Sequence, residues 1–185
     1  MIAQLRPALV LLLLLATLTG LAYPLAITGI AQAAFPSQAN GSLVEQDGQV
    51  VGSALIGQVF AGAGYFHPRP SAVGYDAAGS GGTNLGATSA TLASDVAARA
   101  QAFAPGEAPA DAVTASASGL DPHISPAYAA AQVARVAAAR SLDAAGLAAL
   151  VEQNTEHPLL GIFGEPMVNV LKLNLALDAL GDDNS

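Results

Sequence analysis

Four residues whose types serve acyl transfer stand close together in this sequence: Ser116, Ser118, Asp121 and His123. A serine activated by an imidazole that a carboxylate orients would cleave an ester or amide. Their surroundings fit that use poorly. A nucleophile elbow needs glycines on both sides of its serine, and Ala115-Ser116-Ala117 and Ala117-Ser118-Gly119 supply one at most. Asp121-Pro122-His123 holds carboxylate and imidazole in one constrained turn instead of bringing them together through the fold. The local alternative is that Asp121 and the serines cap backbone groups, the prolines set the turn, and His123 hydrogen-bonds across it. His67, His123 and His157 match no metal-ligand spacing, alone or with carboxylates. Gly79-Ser-Gly81 begins a dinucleotide fingerprint, but Asn84 stands where the last glycine belongs, and no Gly-Lys-Ser/Thr ends a phosphate loop. No metal-ligand motif is therefore read on this chain and no motif assigns it a cofactor, while potassium, which backbone carbonyls can coordinate, would leave no such sign in the sequence.

The element that positions everything else is apolar. Pro7 to Val44 contains no Asp, Glu, Lys or Arg. As a helix Ala8–Ile30 would extend roughly 34 Å, close to the ~30 Å hydrocarbon core of a bilayer. A transmembrane anchor over residues 1–34 is expected, followed by one domain over 35–185. The competing reading is a signal peptide cut after Ala31-Gln32-Ala33, releasing a periplasmic hydrolase or binding protein, but the apolar run is longer than such leaders use. Arg6 is the sole cation beside the run, the next being Arg69. Positive charge favours the cytoplasm, so the N-terminus is expected inside and the bulk of the chain in an extracytoplasmic position. With 6 basic and 14 acidic residues the chain carries a net charge of −8, which disfavours nucleic acid as a partner. No cysteine is present to report on redox compartment.

Along the chain, Phe35–Gly41 reads as a polar turn out of the membrane. Ser42–Gln46 and Gln49–Phe60 flank Asp47-Gly48, the signature of a type I′ hairpin turn. Residues 60–86 are too rich in glycine and proline for regular structure. Thr88 or Ser89 caps a helix to about Phe103; Ala112–Ser116 reads as a short strand. Ser125 and Pro126 start a helix to about Arg140, with Tyr128 or Ala129, Gln132 or Val133, and Val136 facing inward. Ser141 is placed to cap the next helix, to about Gln153. In the tail, Leu171, Leu173, Leu175 and Leu177 alternate like a strand, while Pro166 and Gly181 bracket the segment like a helix; helix is the weightier reading. The last residues, 182–185, are expected to be solvated. The fold class is therefore α+β: one N-terminal transmembrane helix followed by a single small extracytoplasmic α+β domain.

Taken together, Tyr65–Ala72, Gly79–Gly86, Val113–Pro126 with its Ser-Gly-Leu-Asp-Pro-His-Ile-Ser-Pro block, and Gly164–Asn174 closely resemble, in order, the signature segments of the C subunit of Kdp-type potassium-transporting ATPases. Met167 departs from the basic residue expected in that last segment. The resemblance implies an accessory subunit of a bacterial or archaeal inner-membrane complex, beside a channel-like potassium-translocating subunit, a P-type ATPase subunit and a very small hydrophobic one, with lipid around its helix. It implies that ATP is consumed at the level of the complex, on another subunit, and that the C subunit acts as a catalytic chaperone raising ATP affinity. An external domain cannot touch cytoplasmic nucleotide, so such an effect would pass through the membrane helices. On this resemblance the interface or motif candidates are Tyr65, Phe66, His67, Arg69, Asn84, Ser118, Asp121, His123, Glu165, Asn169 and Asn174. None is expected to be catalytic.

Overall fold

The computed structural model describes residues 2–158 and 160–182 and falls into two compact units, 1–53 and 54–185. In the first unit, Leu5–Ala34 forms a 30-residue helix, long and apolar enough to cross a membrane. It is α-helical over Leu5–Thr17 (α1) and Tyr23–Ala34 (α2), and the intervening Leu18–Ala22 winds as π-helix. Pro24 explains the wider turn: it has no N–H, and its ring crowds the carbonyl of the turn before it. Local π winding is one way a membrane helix accommodates that defect. No side chain in the helix is buried.

The segment expected as a polar turn is a single helical turn, α3 (Pro36–Ala39). Pro36 suits the first helical position, and Asn40 closes the turn by donating from Nδ2 to Pro36 O at 2.7 Å. Strands β1 (Leu43–Gln46) and β2 (Gln49–Ser53) pair antiparallel. Asp47 and Gly48 hold φ of 52° and 75° between them, as a type I′ turn requires. The second strand ends at Ser53, well before Phe60, because its pairing with Leu43 exhausts the first strand.

The second unit contains α4 (Ala90–Ala100), α5 (Ala110–Val113), β3 (His123–Ile124), α6 (Pro126–Arg140), α7 (Ala144–Gln153), β4 (Thr155–Glu156), β5 (Met167–Asn169) and α8 (Val170–Asp182). The sheet order is β3-β5-β4, antiparallel, with His123 opposite Asn169 and Val168 shared by Ile124 and Thr155. Helix α6 starts as its sequence requires: Ser125 Oγ accepts from Tyr128 N at 3.0 Å, and Pro126 follows. Its inner face buries Tyr128, Ala129, Gln132, Val133 and Val136. Leu147, Leu150 and Val151 of α7 and Val168, Leu173 and Leu177 complete the core. The architecture is of the α+β class.

Two further local expectations are corrected. Residues 112–116 are not a strand: α5 closes where Thr114 sends both N–H and Oγ1 to Ala110 O, at 3.0 and 2.6 Å, and the turn buries Ala112 and Val113. Ser141 does not cap α7. It ends α6 in a left-handed conformation, and Asp143 caps α7 by accepting from Gly146 N at 2.7 Å. In the tail the helix reading holds: Leu171, Leu173, Leu175 and Leu177 all lie in α8, which begins at Val170, and the short strand β5 (Met167–Asn169) precedes them. Residues 183–185 lie outside the described residues.

Leu173 and Leu177, one helical turn apart on α8, are both fully buried. Replacing either by Ala is expected to lower stability by about 2–5 kcal/mol in urea unfolding of the detergent-solubilised chain. A loss below about 1 kcal/mol would contradict this packing.

Candidate functional site

The loop Ser116–His123 receives three other loops through its backbone. Gly57 N donates to Leu120 O at 2.7 Å, Gly81 N to Ser118 O at 2.8 Å, and Ser116 N to Pro70 O at 3.1 Å. Ser71 Oγ adds a bond to Gly119 O at 2.7 Å. The approach is close enough to exclude side chains. A Cβ on Gly57 would lie 2.6 Å from Asp121 O, and one on Gly82 2.8 Å from Ala117 O. Glycine at these two positions is thus a packing requirement.

Side chains then lock this loop. Asp121 accepts from Arg69 Nη1 at 3.0 Å and from its neighbour His123 N at 3.0 Å. The ion pair is about a quarter exposed, with 26% and 29% of the two side chains accessible. His123 Nδ1 stands 3.9 Å from Asp121, and its Nε2 is 3.4 Å from Asn169 Nδ2. Asn169 also donates to Ala54 O at 2.8 Å. Asp111 holds Ser125 by both N and Oγ, at 2.6 and 2.9 Å. A cleft of about 530 Å³ opens here, lined in part by Arg69, Asp111, Asp121, His123 and Glu165. Arg69 and Asp121 also line a second cleft, on which Ser118 borders.

A second cluster ties the Tyr65–His67 segment to α6 and α8. The Asn174 amide accepts from Phe66 N at 2.8 Å and donates to Phe66 O at 3.0 Å. Gln132 does the same for His67, at 2.8 and 3.1 Å. Both amides imitate a strand neighbour and satisfy backbone groups that would otherwise be buried unpaired. Arg140 lies 4.5 Å over the Tyr65 ring and bonds Gly64 O at 2.7 Å and Asp178 at 2.6 Å. Tyr65 Oη reaches the same carboxylate at 3.4 Å.

The arrangement joins Arg69, Asp121, His123 and Asn169 in one network and Tyr65, Phe66, His67 and Asn174 in another. Ser118 is exposed, its Oγ accepting from Leu120 N at 3.1 Å. Among the described residues no hydrogen bond joins Ser116 or Ser118 to His123. Glu165 is an exposed residue on the cleft rim, and Asn84 is exposed with φ of 54° in its own loop. Sequence reasoning missed Asp111, Gln132 as a backbone partner, Arg135, whose Nη1 donates to Ala63 O and Tyr65 O at 2.6 and 3.0 Å, and the Arg140–Asp178 pair. The partners of these residues lie far off in sequence, so spacing gives no sign of them.

Burial holds the His67 imidazole below its ordinary pKa; the Gly62 carbonyl opposes that shift, and Arg135 reinforces it. The hydrogen bond from Lys172 Nζ, 2.9 Å away, lowers the Glu156 carboxyl.

Residues 5–179 match the family model described as "KdpC: K+-transporting ATPase, c chain". A Cereibacter sphaeroides protein named "Potassium-transporting ATPase KdpC subunit" is 59% identical over 98% of this chain and 100% of its own length. Proteins of the same name from Nitratidesulfovibrio vulgaris and Rhodospirillum rubrum are 60% and 59% identical, covering 97% and 96% of this chain and 96% of each relative.

Two outcomes test the site's geometry. Asn174→Leu strands both backbone groups of Phe66 and is expected to destabilise the unit by at least about 2 kcal/mol in denaturant unfolding; an unchanged midpoint would contradict the bidentate role. The lowered pKa of His67 means that its stabilising contribution is complete above the unfolded value of 6.5 and is lost as pH falls below it toward the folded value. His67→Gln should therefore remove part of the fall in stability between about pH 7 and pH 5, and a parallel pH profile for the variant would refute this.

Proposed function

The chain belongs to the KdpC family, the c chains of K+-transporting ATPases, and from that membership we propose that it is the non-catalytic, membrane-anchored accessory subunit of an ATP-driven potassium importer. The Leu5–Ala34 helix spans the membrane with Arg6 on the cytoplasmic side, so the unit from Ala54 onward stands outside. The family match begins at residue 5 and includes this helix, which supports an anchor that stays attached. The chain's partners are the potassium-translocating channel-like subunit, the P-type ATPase subunit that hydrolyses ATP, and the small hydrophobic subunit.

The observation that carries this reading is an apolar tip in the β4–β5 connection. Leu160, Ile162 and Phe163 are 80%, 77% and 66% exposed, and Met167 follows at the edge of β5. Large apolar side chains exposed at neighbouring positions of one connection mark a docking surface. Glu165 stands beside the tip in sequence, and its charge, unlike that of the Lys172-paired Glu156, is free to repel anionic lipid headgroups, which favours a protein partner over the membrane surface. The channel-like subunit is the partner assigned to it. Docked there, a domain of net negative charge raises the local concentration of cations at the pore mouth, an effect that salt screens. The role as catalytic chaperone then follows as a coupling free energy: docking outside biases the conformations of the membrane helices, and so the affinity for ATP on the partner inside.

Exchanging Leu160, Ile162 and Phe163 together for Ser leaves the core untouched, and unfolding of the isolated chain is expected to move by no more than about 0.5 kcal/mol. Co-purification with the potassium-translocating subunit in mild detergent is expected to fall about tenfold or more, and growth at micromolar potassium to fail. Normal assembly and normal uptake in that variant would overturn the docking role.

A further inference from the structure

The middle of the apolar helix carries a defect that none of the described residues repairs. In regular α-helix the Thr19 carbonyl would accept from Tyr23 N–H. Here Tyr23 N–H goes to Leu18 O instead, five residues back. The next residue able to serve a π turn is Pro24, which has no N–H. The Thr19 hydroxyl is engaged elsewhere, donating to Leu15 O at 2.7 Å. Neither the π winding nor a local hydroxyl, two of the usual remedies in a membrane helix, therefore reaches the Thr19 carbonyl. It lies near the midpoint of Leu5–Ala34, far from either water layer, where an unpaired carbonyl is costly.

The residue beside it is Gly20. A Cβ there would meet no atom of this chain within 4 Å, so nothing internal calls for glycine, which weakens a helix. Tyr23, three residues on, is 65% exposed. A carbonyl that neither of its usual donors reaches, an unfilled glycine position and an exposed ring thus fall within five residues, Thr19 to Tyr23.

We propose that the Thr19 carbonyl accepts a hydrogen bond from a donor side chain, a hydroxyl, amide or indole, on a neighbouring transmembrane helix of the same complex that seats against Gly20. This rests on the accessory-subunit reading. The pairing is one of opposite partial charges: the carbonyl lacks a donor, and hydrocarbon has none to give. Small residues let helices approach closely enough for such bonds. The π turn then acts as a register mark that fixes where along the anchor its neighbour sits.

The test places a 13C=18O label at Thr19 by semisynthesis and compares the labelled amide band in the assembled complex with that of the isolated chain in the same lipid. A lower frequency in the complex is expected. Equal frequencies would overturn the proposal, whether because water reaches the carbonyl in both states or because nothing does in either. As a second measurement, Gly20→Leu is expected to reduce co-purification with the membrane subunits about tenfold, while Leu13→Ala stays within about twofold of wild type; equal recovery of both variants would also overturn it. Failure of the unmodified chain to co-purify would sink the accessory-subunit reading itself, whereas normal co-purification without a band shift would sink only this docking point.

Discussion

The second unit depends on a backbone-to-backbone fit at the Ser116–Asp121 loop. Segments around Gly57, Pro70 and Gly81 each bring main-chain hydrogen bonds to it, and at Gly57 and Gly82 the approach leaves no volume for a side chain. Contacts of this kind have little freedom to slide, because each bond has one donor, one acceptor and one workable length. The Arg69–Asp121 pair closes the same junction from outside. Long glycine- and proline-rich stretches that would otherwise be mobile thereby become a shaped surface without strands of their own.

That surface is tied to the helices by amides rather than by sheet. Asn174 and Gln132 each clasp one residue of the Phe66–His67 segment through both its N–H and its C=O. Phe66 itself is fully buried among core side chains. Polar groups in such positions are worth keeping only when every partner is satisfied, and here the four bonds meet that condition. The loop surface and the helical core are consequently held together as one body.

Legibility in the sequence follows the range of each interaction. The start of α6 was plain because Ser125, Pro126 and the apolar face all lie within a few residues of one another, and the Asp47-Gly48 turn was plain for the same reason. Ser141 and Asp143 were misjudged because both can cap a helix; a left-handed ending for α6 settled which one did. The α5 turn read as a strand because Ala112 and Val113 suit either state until Thr114 closes back on Ala110. At the site, Asp121 and His123 could be singled out from spacing, but their partners Arg69 and Asn169 could not, since the fold alone brings those together. The exposed tip at Leu160–Phe163 escaped notice because an apolar run in sequence looks the same whether it points into a core or out of it.

On the proposed reading these features belong to a subunit that works by contact. The loop surface, the apolar tip and the long apolar helix each present groups that the described residues leave exposed. The most direct test is a photo-crosslinking amino acid at Phe163 in the complete complex, with Glu107 as the control site. The account predicts an adduct between position 163 and the potassium-translocating subunit, and none from position 107. Adducts from position 163 to lipid alone, or to no neighbour at all, would contradict it.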